Sequence, residues 1–268
     1  IVKSFDGKQS VDYPISSSLN CVMRHLEISP RLACRYITDP LLYGDKKFDL
    51  RYYVAVKSLQ PLVIARHTQY AVRIANQAFK NTEYESYQTH FTAMNFMDVN
   101  EEKEEISDIR GKGARIRQNV TEFENQFDVQ YGKGQWNQVQ NKIDDVIRQV
   151  FRVTLSVSQT DQLHPATKEL LHPNSGWSLN QPNVCTARSM YGVDILLRKN
   201  DQGQGGMSIQ PILLEVQWGA DATKALEFHE SFWDDVLEYL YVDSDALDSE
   251  STPICMVDIS VPNDNKCK

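Results

Sequence analysis

The stretch Ser189-Met-Tyr-Gly-Val-Asp-Ile-Leu-Leu-Arg-Lys-Asn-Asp-Gln-Gly-Gln-Gly-Gly-Met-Ser-Ile-Gln-Pro-Ile-Leu-Leu-Glu-Val-Gln-Trp218 decides how this chain is read. Two apolar runs, Ser189 to Leu197 and Ile209 to Trp218, flank the Gly-rich segment Asp201 to Gly206, which is the pattern of a β-hairpin. A turn centred between Gln204 and Gly205, without a bulge, pairs Asp194 with Glu215. The period of two then sets Gly192, Asp194, Leu196, Leu213, Glu215 and Gln217 on one face. Carboxylates side by side in apolar strands repel and lose hydration unless a cation lies between them. Oxygen ligands of this kind suit Mg²⁺, which binds through one or two carboxylates plus substrate phosphates. Two alternatives stay open on pattern alone: a register slip that sends one carboxylate to solvent, or a buried arginine that pairs with both.

Working outward, Lys46-Lys-Phe-Asp-Leu-Arg-Tyr-Tyr-Val-Ala-Val-Lys57 alternates strictly. Phe48, Leu50, Tyr52, Val54 and Val56 fall on one face, and Lys47, Asp49, Arg51 and Lys57 on the other. The polar face can hold phosphates and carboxylates, with Asp49 orienting its cationic neighbours. It reads equally as a solvated sheet face. Further strands are expected over Arg31 to Ile37, Leu62 to Arg66 and Tyr70 to Ala75, and Ile1-Val2-Lys3 reads as the tail of another. Two helices follow from the 3.6-residue period, Trp136 to Leu155 and Glu230 to Tyr241. Residues 100–117 are polar, residues 156–186 are rich in Pro, Ser, Asn and Gln, and both are expected as insertions or loops. The segment Gly111-Lys-Gly-Ala-Arg115 lacks the flanking strand and the Ser/Thr that a phosphate loop requires.

The chain has 268 residues, of which 41% are hydrophobic and 24% charged, with a mean hydropathy of −0.46. This is a globular composition, neither disordered nor membrane-spanning. The longest apolar runs, Tyr52 to Val56 and Pro211 to Leu214, fall far short of the ~20 residues that a spanning helix needs. The first residue is Ile rather than Met, so an upstream part is expected to be missing. Five scattered cysteines, Cys21, Cys34, Cys185, Cys255 and Cys267, form no CxxC pair. They read as reduced thiols of a cytoplasmic protein. Net charge is −8, yet residues 1–80 carry 12 basic against 6 acidic residues, and residues 211–250 carry Lys224 against 11 acids. The amino-terminal excess suits an acidic partner, though a charge-segregated surface has the same appearance. It is too modest for a nucleic-acid surface.

The segments KKFDLRYYV, RYITDPLL, HFTAMN (His90 to Asn95), and YGVDILL followed by ILLEVQ resemble, in order, the motifs of the tubulin tyrosine ligase-like family. The tail EVQWGADATKALEFHESFWDDVLEYL is most like a divergent member of it, and the likeness runs from Ile1 to about Val242. It implies an α+β, ATP-grasp-like fold of antiparallel sheets flanked by helices. Residues 1–242 would be the carboxyl-terminal part of the catalytic region and 243–268 a tail.

The resemblance also implies roles. Lys3 and Lys47 match the family's nucleotide-binding lysines, and Tyr36 and Ile37 the segment whose backbone meets the adenine. Asp49, Arg51 and Arg73 resemble residues at the acceptor or acyl-phosphate end of the reaction, and Asp194, Glu215 and Gln217 stand where the family keeps its Mg²⁺ ligands. The implied activity is ATP- and Mg²⁺-dependent joining of an amino acid to a protein such as tubulin, in the cytoplasm and in association with microtubules. The implied partner is tubulin or another acidic protein tail, with neither nucleic acid nor membrane involved. Two positions depart from the family. SFDGKQSVDYP, after Lys3, has one glycine where the family has a Gly-rich loop, and Gln217 replaces an Asn. A pseudoenzyme that keeps the fold as a tubulin- or protein-binding module is therefore the alternative expectation, with a scaffold that binds no nucleotide as a third.

Overall fold

The computed structural model describes residues 1–4, 14–28, 30–59, 61–92, 120–158, 188–201, 207–242 and 255–262. In chain order the elements are β1 (Val2–Ser4), α1 (Leu19–Ile28), β2 (Arg31–Ala33), β3 (Leu42–Tyr43), β4 (Lys46–Leu59), β5 (Leu62–His67), β6 (Ala71–Ala78) and α2 (Tyr87–His90). They continue with α3 (Val120–Tyr131), α4 (Gln135–Ser158), β7 (Ser189–Asp201), β8 (Met207–Trp218), α5 (Thr223–Phe228), α6 (Phe232–Tyr241) and β9 (Met256–Asp258). The larger sheet runs in the order β8-β7-β4-β5-β9, and β3 and β6 also pair with β4. The fold is thus the expected α+β arrangement of antiparallel sheets flanked by helices.

The chain divides into two compact units. The first comprises Ile1–Asp49, Val72–Gln118 and Leu196–Gln210. Here β1 pairs antiparallel with β2, setting Lys3 opposite Leu32, and the Ile1 backbone nitrogen donates to the Cys34 carbonyl at 2.9 Å. Strand β3 pairs with the start of β4 through Leu42 and Lys47 across a turn in which Gly44 has φ of 63°, a conformation that favours glycine.

The second unit comprises Leu50–Ala71, Asn119–Ile195 and Pro211–Lys268. Within it β4 is covered on both faces. Tyr53 and Ala55 pack with Phe232, Val236 and Leu240. On the other face Tyr52 stacks on Tyr70 and Tyr70 on Trp136, with centroids 4.8 Å and 5.9 Å apart. Phe123 and Phe127 of α3 close this aromatic cluster edge-on to Trp136. The polar atoms buried with it are satisfied in sequence: the Tyr52 hydroxyl donates to Gln140, the Gln140 amide to Asp144, and Arg66 Nε to Asp144 at 2.7 Å. Asp128 on α3 accepts the backbone N–H groups of Gly134 and Trp136, capping the first turn of α4.

The observed elements depart from the expected ones at several points. Beyond residue 242, Met256–Asp258 pairs with β5 and Ile259 is buried beside it. The strand expected from Arg31 to Ile37 ends at Ala33. Helices α1 and α3 were not anticipated; α3 buries Val120, Phe123 and Phe127, a spacing masked by the polar residues between them. Helix α4 runs to Ser158, past the expected Leu155. Residues 100–117 and 159–187 lie outside the described residues, as does the turn of the hairpin. No helix among the described residues is long and apolar enough to cross a membrane.

Candidate functional site

Two clusters gather most of the residues singled out from sequence, each within its own unit. In the second unit Arg51 on β4 and Asp194 on β7 are direct cross-strand partners. The guanidinium grips the carboxylate with two parallel bonds, Nε to Oδ1 and Nη2 to Oδ2, both 2.8 Å. Glu215 on β8 brings its Oε1 to 3.8 Å from the same Nη2, and the Gln217 amide donates to Glu215. Both carboxylates therefore turn toward one guanidinium. The arrangement rules out the register slip and realises the paired-arginine alternative.

Arg51 therefore lies against both carboxylates, holding Asp194 with two bonds and Glu215 at a longer distance. The Asp194 side chain is only 4% exposed, whereas that of Glu215 is 42% exposed, so Glu215 is the open side of the cluster. Gly192, beside Asp194 on β7, lets the segment after β8 approach closely. A Cβ at that position would lie 2.7 Å from the Ala220 Cβ and 3.9 Å from Arg51 Cδ, so the segment after β8 lies in space that a side chain would occupy. The donor set, two carboxylates and an amide, is chemically matched to Mg²⁺, but a metal has to share Asp194 with Arg51.

In the first unit the polar face of β4 is covered rather than solvated. Asp49 is buried, and its two oxygens accept separately from Arg73 Nε and the Thr92 hydroxyl. Lys47 is held by three groups. Its Nζ donates to the His90 carbonyl at 2.9 Å and the Tyr36 hydroxyl at 3.2 Å, and lies 4.7 Å from the Tyr36 ring centroid. Burial lowers its pKa from 10.5 to about 8, Asp49 opposes the shift, and the charge of Lys3 adds to it. The Tyr36 hydroxyl sits 2.9 Å from His90 Nδ1, and His90 Nε2 lies 2.9 Å from the Glu83 carbonyl. Only one proton assignment satisfies every group: Lys47 donates to Tyr36, Tyr36 to Nδ1, and Nε2–H to Glu83. Burial keeps the phenol protonated and the imidazole neutral, consistent with that order. Ile37 follows, half-buried. In the same unit a cavity of about 440 Å³ is lined by Ile15, Ser16, Ser17 and Thr82 to Ser86, which include the acids Glu83 and Glu85, and the Tyr84 ring packs edge-on against Tyr36.

His90 and Thr92 carry contacts here that the sequence reading did not assign, although both lie in the quoted HFTAMN motif. A third cluster left no signal in the sequence, because its members are far apart: His67 on β5, His229 after α5 and Asp235 on α6, with ligand atoms within 4.8 Å of one another. The tautomer argues against a metal. The Gln69 backbone N–H donates to His67 Nδ1, so Nε2 carries the proton and donates to Asp235, leaving no lone pair for an ion. The cluster instead holds a carboxylate between two imidazoles. Hydrogen bonds from His229 and His67 outweigh burial and hold Asp235 below the usual carboxylate range, while burial holds His67 below its ordinary value.

A family model described as the tubulin-tyrosine ligase family matches residues 1–250. The mouse protein tubulin-tyrosine ligase-like protein 12 is 28% identical over 248 residues, covering 91% of this chain and 34% of its own length. The Caenorhabditis elegans protein of the same name is 30% identical over 249 residues, covering 91% and 32%. A mouse probable tubulin polyglutamylase TTLL2 is 32% identical over 81 residues, covering 30% and 15%. The chain spans about a third of the length of the first two of these curated relatives.

Proposed function

The chain belongs to the tubulin-tyrosine ligase family, and on that premise we propose that it binds ATP with Mg²⁺ and joins an amino acid to a protein such as tubulin by way of an acyl-phosphate. The observation that carries the proposal is the convergence of Asp194 and Glu215 on Arg51 at one strand face, beside Gln217. Asp194, Glu215 and Gln217 would hold Mg²⁺, whose chemistry is to neutralise phosphate charge during transfer. Arg51 fixes Asp194. Lys47, about nine-tenths protonated at pH 7 with a pKa of about 8, supplies a buried cation for the nucleotide phosphates, and Lys3 supplies a second. Tyr36 and Ile37 would meet the adenine. Asp49 holds Arg73 in place for the acyl-phosphate.

One observation favours a second reading, a catalytically weak protein-binding module. Both oxygens of Asp194 are already engaged by Arg51, so a metal gains less there than at a free carboxylate. Calorimetric titration of ATP with and without Mg²⁺, paired with transfer of a labelled amino acid to tubulin, separates the two. The ligase reading expects Mg²⁺-dependent ATP binding that Glu215→Gln weakens, and ATP-dependent transfer that the same change abolishes. Tight tubulin binding without nucleotide affinity would overturn it.

A further inference from the structure

A lysine ammonium is a point charge on a flexible four-carbon stem, so it serves a ligand well only where other groups hold it still. Lys47 has three N–H donors, and two are committed inside the first unit, one to the His90 carbonyl at 2.9 Å and one to the Tyr36 hydroxyl at 3.2 Å. Among the described residues the third is left open.

Both anchors run through His90. Its carbonyl is the first. The second is the Tyr36 hydroxyl, whose single proton needs an acceptor that Lys47, a donor only, cannot be. His90 Nδ1, 2.9 Å away, is that acceptor, because Nε2 faces the Glu83 carbonyl and must hold the ring proton. A charged imidazole has no such lone pair, and with Nδ1 protonated Tyr36 would face donors on both sides. The ring sits among Tyr36, Phe79 and Tyr84; Lys47 and Glu83 are the charged groups acting on it, and Asp49 and Lys3 act on Lys47. Burial outweighs these charges and favours the neutral ring.

We propose that His90 is a positioning residue for the nucleotide: through its carbonyl and its neutral imidazole it holds Lys47 with one N–H open to a phosphate oxygen, and it gives up that hold when protonated. The identity of the ligand rests on the ATP reading above, whereas the coupling of His90 to Lys47 does not. The sign of one shift separates this role from simple packing. Without an acceptor at Nδ1 the Tyr36 proton turns to Lys47, which can receive it only as a neutral amine, so the Lys47 pKa drops below its value of about 8. Removing a residue that merely fills space would admit water and let that pKa rise toward 10.5.

The test uses the full chain labelled with ¹³C-lysine, in which NMR gives the Lys47 midpoint without nucleotide and Lys47→Arg assigns the signal. His90→Leu should lower the midpoint by at least about 0.5 pH units, and His90→Asn, whose amide oxygen can take the Tyr36 proton, should recover at least about half of that shift. Calorimetry with Mg²⁺-ATP at about pH 7.5 should show His90→Leu binding at least about fivefold more weakly than wild type. Between about pH 7.5 and 5.5 wild-type affinity should fall at least about threefold further than that of His90→Asn, the protonation of ATP itself being common to both. If thermal unfolding shows that His90→Leu does not fold, Tyr36→Phe replaces it: the charged Lys47 then loses an acceptor with the packing kept, and its midpoint should fall likewise. A midpoint that rises or stays unchanged, no recovery in His90→Asn, or superimposable pH profiles of ATP affinity overturns the positioning role while ATP binding by wild type leaves the ligase reading standing. Absence of ATP binding by wild type, even with midpoints that move as expected, overturns the phosphate role together with the ligase reading.

Discussion

Gly192→Ala is a one-methyl change whose effect follows from a single distance. The new Cβ would lie 2.7 Å from the Ala220 Cβ, and apolar carbons in contact normally stay roughly 3.5 to 4.0 Å apart, so one segment must move by about 1 Å. Relief is restricted because Gly192 is paired with Tyr53 at the centre of the sheet, while Ala220 is part of the core cluster around Phe232. Overpacking of this kind costs about 1 to 3 kcal/mol, to be read from urea unfolding at constant slope. The partner change Ala220→Gly makes the room that the methyl needs. In a double-mutant cycle the two changes should therefore be non-additive by about 1 kcal/mol or more, with the pair more stable than the sum implies. Additivity within about 0.5 kcal/mol would refute the claim that close approach at Ala220 is what requires glycine here.

Arg51→Met leaves the buried Asp194 without its two-bond partner and should destabilise the fold by about 3 kcal/mol, whereas Arg51→Met combined with Asp194→Leu should recover part of that loss in the same unfolding assay. Burial lowers the pKa of His67, so the unfolded chain takes up a proton that the folded chain refuses. Stability should then fall as pH drops below about 6.5, and less steeply in His67→Gln; parallel pH profiles would count against this. Lys47, dimethylated with ¹³C, should titrate by NMR near pH 8, and Lys3→Met should raise that midpoint by removing a like charge; a midpoint near 10.5 would contradict the buried cluster.

How much of this was legible in sequence follows the range of each interaction. The hairpin strands and the facing of Asp194 and Glu215 were readable because alternation and a Gly-rich turn are local signals. Arg51 was placed on the polar face of β4, but its pairing with Asp194 is a contact between residues 143 apart that no local pattern encodes. The same holds for His67 and Asp235, 168 apart. The charged face of β4 resembled a solvated surface because burial of Asp49 depends on Arg73 and Thr92, which arrive from other segments. Helix α3 was missed for a different reason: its three buried residues are scattered among Glu, Gln and Asn, so its tertiary packing outweighs a weak periodicity.

Strand β9 bears on how the chain is made. It meets β5 across a long span of sequence, with the Ile64 amide bonded to Ser260 at a separation of 196 residues. At ribosomal rates of roughly 5 to 20 residues per second, the outer edge of β5 waits about 10 to 40 s after its own synthesis for its partner to be made. Throughout that interval a nascent strand offers unpaired amides and carbonyls to any neighbouring extended chain. A premature stop before Met256 would make the exposure permanent. Such a truncated product would keep every residue of the Arg51 cluster and should be recognised by chaperones rather than by its intended partner.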